Sequence, residues 1–505
     1  MVVTPAPESV VLAVDCSTTA SKAIAVDADG RTVAAARRDL TVESPRGGWH
    51  EQDPERWWTA TRDALAEAVA ALPEGTQVRG LCLTHQRESF ACFDGRDRAL
   101  RPALLWVDGR AGDQIARLGS ERVQELSGKP PDVTPALYKL AWLRENEPNV
   151  LREARHVGDV AAYLHRRLTG RWASSTVSAD ALGLFDLRHR RWAPELLEMA
   201  GVREEQLPDL VAPGSEVGTL TDDAARELGL PAGTPVVAGL GDGQAAGLGA
   251  GATEPGVAYL NLGTAMVLGV QALTYVWDPG IRTLAGVAAG TFTPETLLSA
   301  GTYLTTWFRT QFGDPAKEGK PDPELDAAAE RAGPGADGLL TLPYWTAAQA
   351  PYWDPQARGA TVGWHGGHTR GHAYRSLMEA CAYEARLHLD AMERATGDRV
   401  TVIRAMGGGV RSPLWRQIVA DVTGRPLEVC TDDEISAHGA AVLGFAATDD
   451  PAVLHDTAQR MVPPTRTVEP DAAAHERYGP LYEVYRTLYP ALRDVFPALR
   501  KAVGH

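Results

Sequence analysis

Three groups of residues could do chemistry, and their types point to the same kind. Asp15-Cys16-Ser17-Thr18-Thr19-Ala20-Ser21-Lys22 separates two apolar runs, and Asn261-Leu262-Gly263-Thr264-Ala265-Met266 follows the run from Val257 in the same manner. Each reads as a strand, a short turn of small residues and a second strand. Such turns bring backbone N–H groups and hydroxyls close to a polyanion without steric conflict. Two facing each other would hold phosphates from both sides. Between them in the chain lies Asp242, flanked by Gly241 and Gly243. An acid at a strand end can cap a helix or take a proton from a hydroxyl, and the residues alone leave both open.

The third group is Gly407-Gly408-Gly409, just ahead of Ser412-Pro413. A glycine turn before a helix start is a platform for an anion or a nucleotide. Taken singly, each signal has an ordinary explanation. A Ser/Thr turn is usually only a turn, Lys22 a solvated charge, Arg87-Glu88 an ion pair and Trp106 a core residue. The order Asp15, Asp242, Gly263-Thr264, Gly407-Gly408-Gly409 across two halves strengthens all of them together. No His, Cys or carboxylate cluster shows metal-cage spacing, and neither a Gly-x-Ser-x-Gly nor a Walker-type pattern occurs.

These residues need strands and helix starts to carry them. Runs 10–14, 23–27 and 32–36 read as strands, with Asp29-Gly30 as a tight turn. A helix begins at Asp53-Pro54-Glu55, where N-cap, first-turn proline and first-turn acid agree. The run 79–83 ends in Thr84-His85-Gln86-Arg87-Glu88, polar residues at the end of a buried strand, as in ligand sites of α/β folds. Leu230-Pro231-Ala232-Gly233-Thr234-Pro235 precedes a further strand, and the hairpin pattern restarts at 257. The pattern predicts a duplicated α/β fold with its boundary near 250. Gly247-Leu248-Gly249-Ala250-Gly251 is expected to act as a hinge. Tyrosines at 478, 482, 485 and 489 fall on one helical face.

The bulk properties fit an intracellular enzyme. A chain of 505 residues exceeds what one core supports. Its net charge of −15 argues against nucleic acid or an anionic membrane as a standing partner. Five scattered cysteines predict a reducing cytoplasm, and no segment reads as a signal peptide or membrane span.

Longer stretches resemble the FGGY carbohydrate kinases of the actin/hexokinase-like ATPase superfamily, and their xylulose-kinase branch most. They are Trp49-His50-Glu51-Gln52-Asp53-Pro54-Glu55-Arg56-Trp57-Trp58, Leu100–Arg110, Lys139–Asn146, Gly407–Gln417 and the tyrosine-rich tail. Two departures stand out. Ser17 occupies a place where the family usually has glycine. Thr84-His85-Gln86-Arg87-Glu88-Ser89 resembles the polyol-gripping segment of glycerol kinases, where xylulose kinases carry Met-His.

The resemblance implies an α/β fold of two ribonuclease-H-like, actin-like ATPase domains around a central cleft. Residues 1–250 would form the sugar-binding side, 251–450 the nucleotide-binding side, and 451–505 a helical tail packed on the second domain. It implies ATP and Mg²⁺ as cofactors, and a small sugar or polyol as substrate, with a ketopentose such as D-xylulose first and glycerol second. Thr18, Thr19, Lys22, Gly263, Thr264, Gly408, Gly409 and Ser412 would bind ATP. Asp15 and Asp242 would hold the metal through water. Arg87, Glu88, Trp106 and Asp242 would hold the acceptor, with Asp242 as general base. Assembly stays open, a homodimer included. A non-metabolic actin-like ATPase would share the phosphate turns but would need neither Arg87-Glu88 nor Trp106-Val107-Asp108-Gly109-Arg110.

Overall fold

The computed structural model describes residues 9–317, 319–430 and 432–502. Its first half is built on strands β1 (Ser9–Cys16), β2 (Ala20–Asp27), β3 (Thr32–Asp39), β4 (Gln77–His85), β5 (Glu216–Thr219) and β6 (Pro235–Gly241). They form one sheet in the order β5-β6-β4-β1-β2-β3. β1, β2 and β3 are an antiparallel meander, and β4 and β6 add in parallel. The near-continuous apolar runs of β1 and β4 follow from burial on both faces. The first helix, α1 (Pro54–Ala70), starts as expected, with Asp53 accepting the Glu55 amide and proline in its first turn.

The second half repeats the plan. Its strands are β7 (Val257–Leu262), β8 (Met266–Val270), β9 (Arg282–Ala285), β10 (Phe292–Leu298), β11 (Val402–Met406), β12 (Leu427–Cys430) and β13 (Thr465–Val468). The order is β9-β10-β8-β7-β11-β12-β13. β10-β8-β7-β11-β12 thus matches β3-β2-β1-β4-β6, with an antiparallel hairpin first and two parallel strands after it. The duplication is a matter of topology, which explains why it is faint in the residues.

Two expectations change here. The tail is not wholly helical, since β13 closes the edge of the second sheet against β12. The glycines expected to form a hinge belong to helix α2 (Asp242–Gly249) and its end. A Cβ at Gly249 would meet the Ile435 carbonyl at 2.3 Å, and one at Gly247 would meet the Tyr259 ring at 2.8 Å. Gly247 and Gly249 therefore let elements approach closely, and only Gly251 takes a left-handed φ, +73°.

Four further helices matter for the site: α3 (Thr302–Phe312), α4 (Arg370–Thr396), α5 (Pro413–Thr423) and α6 (Ile435–Ala446). α6 crosses to the first sheet, where a Cβ at Gly444 would touch Val11 and Cys82.

The last long helix, α7 (Ala472–Leu492), buries all four tyrosines. Each hydroxyl meets an acid: Tyr478 donates to Glu379, Tyr482 to Asp390, Tyr485 to Glu384 and Tyr489 to Asp354. Glu384 is fully buried, which pushes it up to about 7, although the Tyr485 and Tyr344 hydroxyls pull it down. In the unfolded chain it titrates near the ordinary glutamate value of 4.5. Its contribution to stability is therefore complete below that value and lost as pH rises through about 7. Subtracting a Glu384→Gln melting series from the wild-type series should leave this fall across that window. A flat difference between pH 4.5 and 7 would refute it.

Candidate active site

Both phosphate-type turns lie at the cleft between the sheets. In the first, the Ser17 amide and hydroxyl both donate to the Ala20 carbonyl, at 2.9 and 2.8 Å. Ser17 has no left-handed φ, so serine fits where glycine was the expectation. Thr19 is exposed at the tip. Thr18 also has a role beyond the expected one. Its hydroxyl accepts the Trp106 indole N–H at 3.0 Å and donates to Gln86 Oε1 at 3.1 Å. The Trp106 amide in turn donates to Ser89 Oγ. Thr18 therefore fixes the indole at the pocket wall. Lys22 pairs with Glu434 of the second half at 2.9 Å, so its ammonium bridges the cleft.

Asp15, the penultimate residue of β1, pairs with Lys22 and is buried, and its Oδ1 has no hydrogen-bond partner. Burial raises its carboxyl to about 7, helped by Asp242 and Glu434 and opposed by Lys22. A buried, orphaned oxygen facing further carboxylates is the hard donor set that Mg²⁺ prefers. The cluster fits that ion.

Asp242 is the first residue of α2, and Gly241 holds the cap position. Its Oδ1 forms an ion pair with Arg87, 3.0 Å from Nε, and accepts from the Gly243 amide at 2.8 Å. The side chain stays 41% exposed, open to the cleft. Gly243 is required here, because a Cβ would lie 2.7 Å from Glu295 Oε2 and 2.8 Å from Arg87 Nη2.

Arg87 itself is 6% exposed and also reaches Glu295, which is wholly buried, at 3.1 Å. Glu295 accepts from Arg282 Nε at 2.8 Å and from the Tyr259 hydroxyl at 2.5 Å. Burial would raise Glu295, but Arg282, Arg87 and the Tyr259 hydroxyl hold it at about 2. Glu88 faces Arg282 at 3.4 Å, and its burial raises its carboxyl. Its φ of +62° is a left-handed conformation that costs a non-glycine residue energy.

Arg87, Glu88, Trp106 and Asp242 line one cavity of about 180 Å³, together with Asn261, Gly263, Thr264 and Arg282. A second cavity, of about 410 Å³, is lined by Gly408, Gly409, Ser412, Thr302, Arg309 and Tyr374 among others. The Gly263-Thr264 turn stands between them: it lines the first, and the Thr302 amide, from the second, donates to the Gly263 carbonyl at 2.8 Å. Gly407 makes this junction possible. Its φ is +91°, and a Cβ there would sit 2.6 Å from Asn261 Oδ1. Ser412 caps α5 by accepting the Trp415 amide, with Pro413 in the first turn.

Glu295 and Arg282 escaped the sequence reading. The available signal was a lone acid in the otherwise uncharged run 292–298, since a buried charge needs a partner. The expectation of no metal-type cluster also changes. Asp337, His365 and His368 converge at the surface. Their ring nitrogens, however, already bond Asp337 and backbone amides, and the two ring centroids lie 3.8 Å apart with the planes tilted by 38°.

Two duplicated α/β sheets flank a cleft in which the Gly263-Thr264 turn separates two cavities, and a carboxylate faces the smaller one. This defines a phosphotransferase of the actin-like ATPase fold. Residues 10–249 match the N-terminal domain of the FGGY family of carbohydrate kinases, and residues 258–448 match its C-terminal domain. The chain belongs to that family and is a xylulokinase-like carbohydrate kinase that uses ATP as donor and a small sugar as acceptor. It is 30% identical to xylulose kinase of Escherichia coli K12, covering 93% of this chain and 96% of that one. It is 31% identical to glycerol kinase of Thermococcus onnurineus, over 87% of this chain and 89% of that one. The xylulose kinase structure from Rhodospirillum rubrum superposes with a TM-score of 0.87 at 31% identity, covering 96% and 99%. No helix among the described residues is long and apolar enough to cross a membrane.

Proposed function

We propose that the chain phosphorylates a terminal hydroxyl of a ketopentose, D-xylulose first, with Asp242 as general base. The observation that carries this reading is the single cavity in which Asp242, Arg87, Glu88 and Trp106 meet beside the Gly263-Thr264 turn. The acceptor enters there, and ATP occupies the larger cavity with its phosphates reaching across the turn. Phosphoryl transfer asks mainly for alignment and charge neutralisation. Thr19, Gly263 and Thr264 contribute turn donors, while Gly408, Gly409 and Ser412 shape the nucleotide side. Asp15 and Asp242 would hold Mg²⁺ through water, and the ion would supply positive charge at the phosphates. Asp242 takes the proton of the attacking hydroxyl, and Trp106 lends an aromatic face to the C–H side of the sugar. The cytoplasm is the proposed compartment, in keeping with five buried, unpaired cysteines.

Arg87 and Glu88 favour a second reading, a glycerol or polyol kinase, because both line the acceptor cavity. ADP release measured over ketopentoses, polyols and hexoses decides between them. The expected result is ATP turnover that requires an acceptor, with D-xylulose giving the largest kcat/KM. Glycerol exceeding every ketopentose would establish the polyol reading instead. Turnover indifferent to any acceptor would exclude both.

A further inference from the structure

The acceptor cavity holds an ion network that spans both halves of the chain. Arg87 and Glu88 come from the turn after β4, and Arg282 and Glu295 from β9 and β10. Glu295 bridges the two guanidiniums: Arg87 Nη1 lies 3.1 Å from its Oε1, and Arg282 Nε donates to the same oxygen at 2.8 Å. Arg282 continues to Glu88 at 3.4 Å. All four side chains are at most 6% exposed. Two cations and two anions balance, and Asp242 adds one negative charge where the chemistry would take place. Lys129 and Asp180, next to Arg282 at the Thr283 carbonyl and the Ala285 amide, pair with each other at 3.1 Å and leave the balance unchanged.

We propose that Glu295 is a positioning and specificity-determining residue. By holding both arginines it aligns them on acceptor hydroxyls and restricts the acceptor to uncharged sugars and polyols, excluding sugar acids. The inference rests on the reading of this cavity as the acceptor site. Its physical basis is desolvation. A carboxylate entering here would lose water and meet Glu88, Glu295 and Asp242, while the arginines already have carboxylate partners. Like charges brought together without solvent are strongly unfavourable. A neutral polyol needs only hydrogen bonds, and Glu88 and Arg87 offer an acceptor and a donor.

Glu295→Gln preserves shape and one acceptor oxygen but frees one positive charge. Wild-type protein should neither phosphorylate a five-carbon aldonate nor be inhibited by it at concentrations that saturate the neutral sugar. In the variant the acceptor KM should rise about tenfold or more as the arginines lose their anchor, with the KM for ATP unmoved. The aldonate should then become a competitive inhibitor against the sugar. Arg282→Gln, which removes a cation, should also raise the acceptor KM without admitting the aldonate, and it serves if Glu295→Gln does not fold. Wild-type enzyme using the aldonate as well as the neutral sugar would overturn the proposal, as would an unchanged acceptor KM in both variants. Arg87→Ala and Asp242→Asn separate the two levels. If both are silent on acceptor kinetics, the cavity reading fails and this inference with it. If both are impaired while Glu295→Gln is silent, this inference alone fails.

Discussion

Arg87→Ala is expected to weaken the enzyme twice over, in stability and in acceptor binding. The structure makes Arg87 the meeting point of two carboxylates, Asp242 at 3.0 Å and the buried Glu295 at 3.1 Å. Removing it leaves Glu295 with Arg282 as its one remaining cation. Breaking a buried pair from one side typically costs about 3–5 kcal/mol, because the remaining charge stays desolvated. Loss of a charge-assisted bond to a substrate hydroxyl adds about 1.5–3 kcal/mol in binding, roughly a 10- to 150-fold rise in acceptor KM. Arg87→Lys separates the two effects. A single ammonium restores charge but cannot span both carboxylates as the guanidinium fork does. It should recover much of the melting temperature and little of the acceptor KM. A variant with lowered stability but wild-type acceptor KM and kcat would show Arg87 to be purely structural.

The course of the sheets was legible because local signals agreed with burial. The apolar runs of β1 and β4 are buried strands, and Asp53-Pro54-Glu55 and Ser412-Pro413 open helices by the capping chemistry that their residue types allow. The tail tyrosines could be placed on a face, but their acids, Glu379, Glu384, Asp390 and Asp354, come from elsewhere in the chain. The site was half legible. Asp242, Arg87, Glu88 and Trp106 do meet in one cavity. What distinguishes them is supplied from afar: Glu295 lies 208 positions from Arg87, and Trp106 is fixed by Thr18 from 88 positions away. No local pattern contains such pairings, since the chain folds back through two sheets before they form. Lys22 shows the same limit. Its residue type alone suggested a solvated charge and the resemblance a phosphate ligand, and neither contains its ion pair with Glu434 of the second half.

Asp242→Asn should separate chemistry from architecture most sharply. A sugar hydroxyl is a poor nucleophile at neutral pH, and its proton must leave as the bond to phosphorus forms. Asp242 stands at the first turn of α2, partly exposed towards the acceptor cavity, where its free oxygen can take that proton. Gly241 occupies the cap position, and the bond from the Gly243 amide engages only Oδ1, which leaves Oδ2 without a role at the helix start. Asparagine keeps the shape and an oxygen for the Arg87 Nε and the Gly243 amide, but it cannot act as a base. The variant should therefore fold, bind ATP and sugar, and lose kcat by about 10²–10⁴. It should also lower the Asp15 titration from about 7, because Asp242 is one of the charges raising it. Suppose instead that Asp242 only anchors Arg87. Asparagine would then retain that contact in weaker form, so the acceptor KM would rise while kcat stayed near wild type. The split between kcat and KM decides. A variant keeping more than roughly a tenth of wild-type kcat, well above the least effect expected of a lost general base, would remove Asp242 from the chemical step.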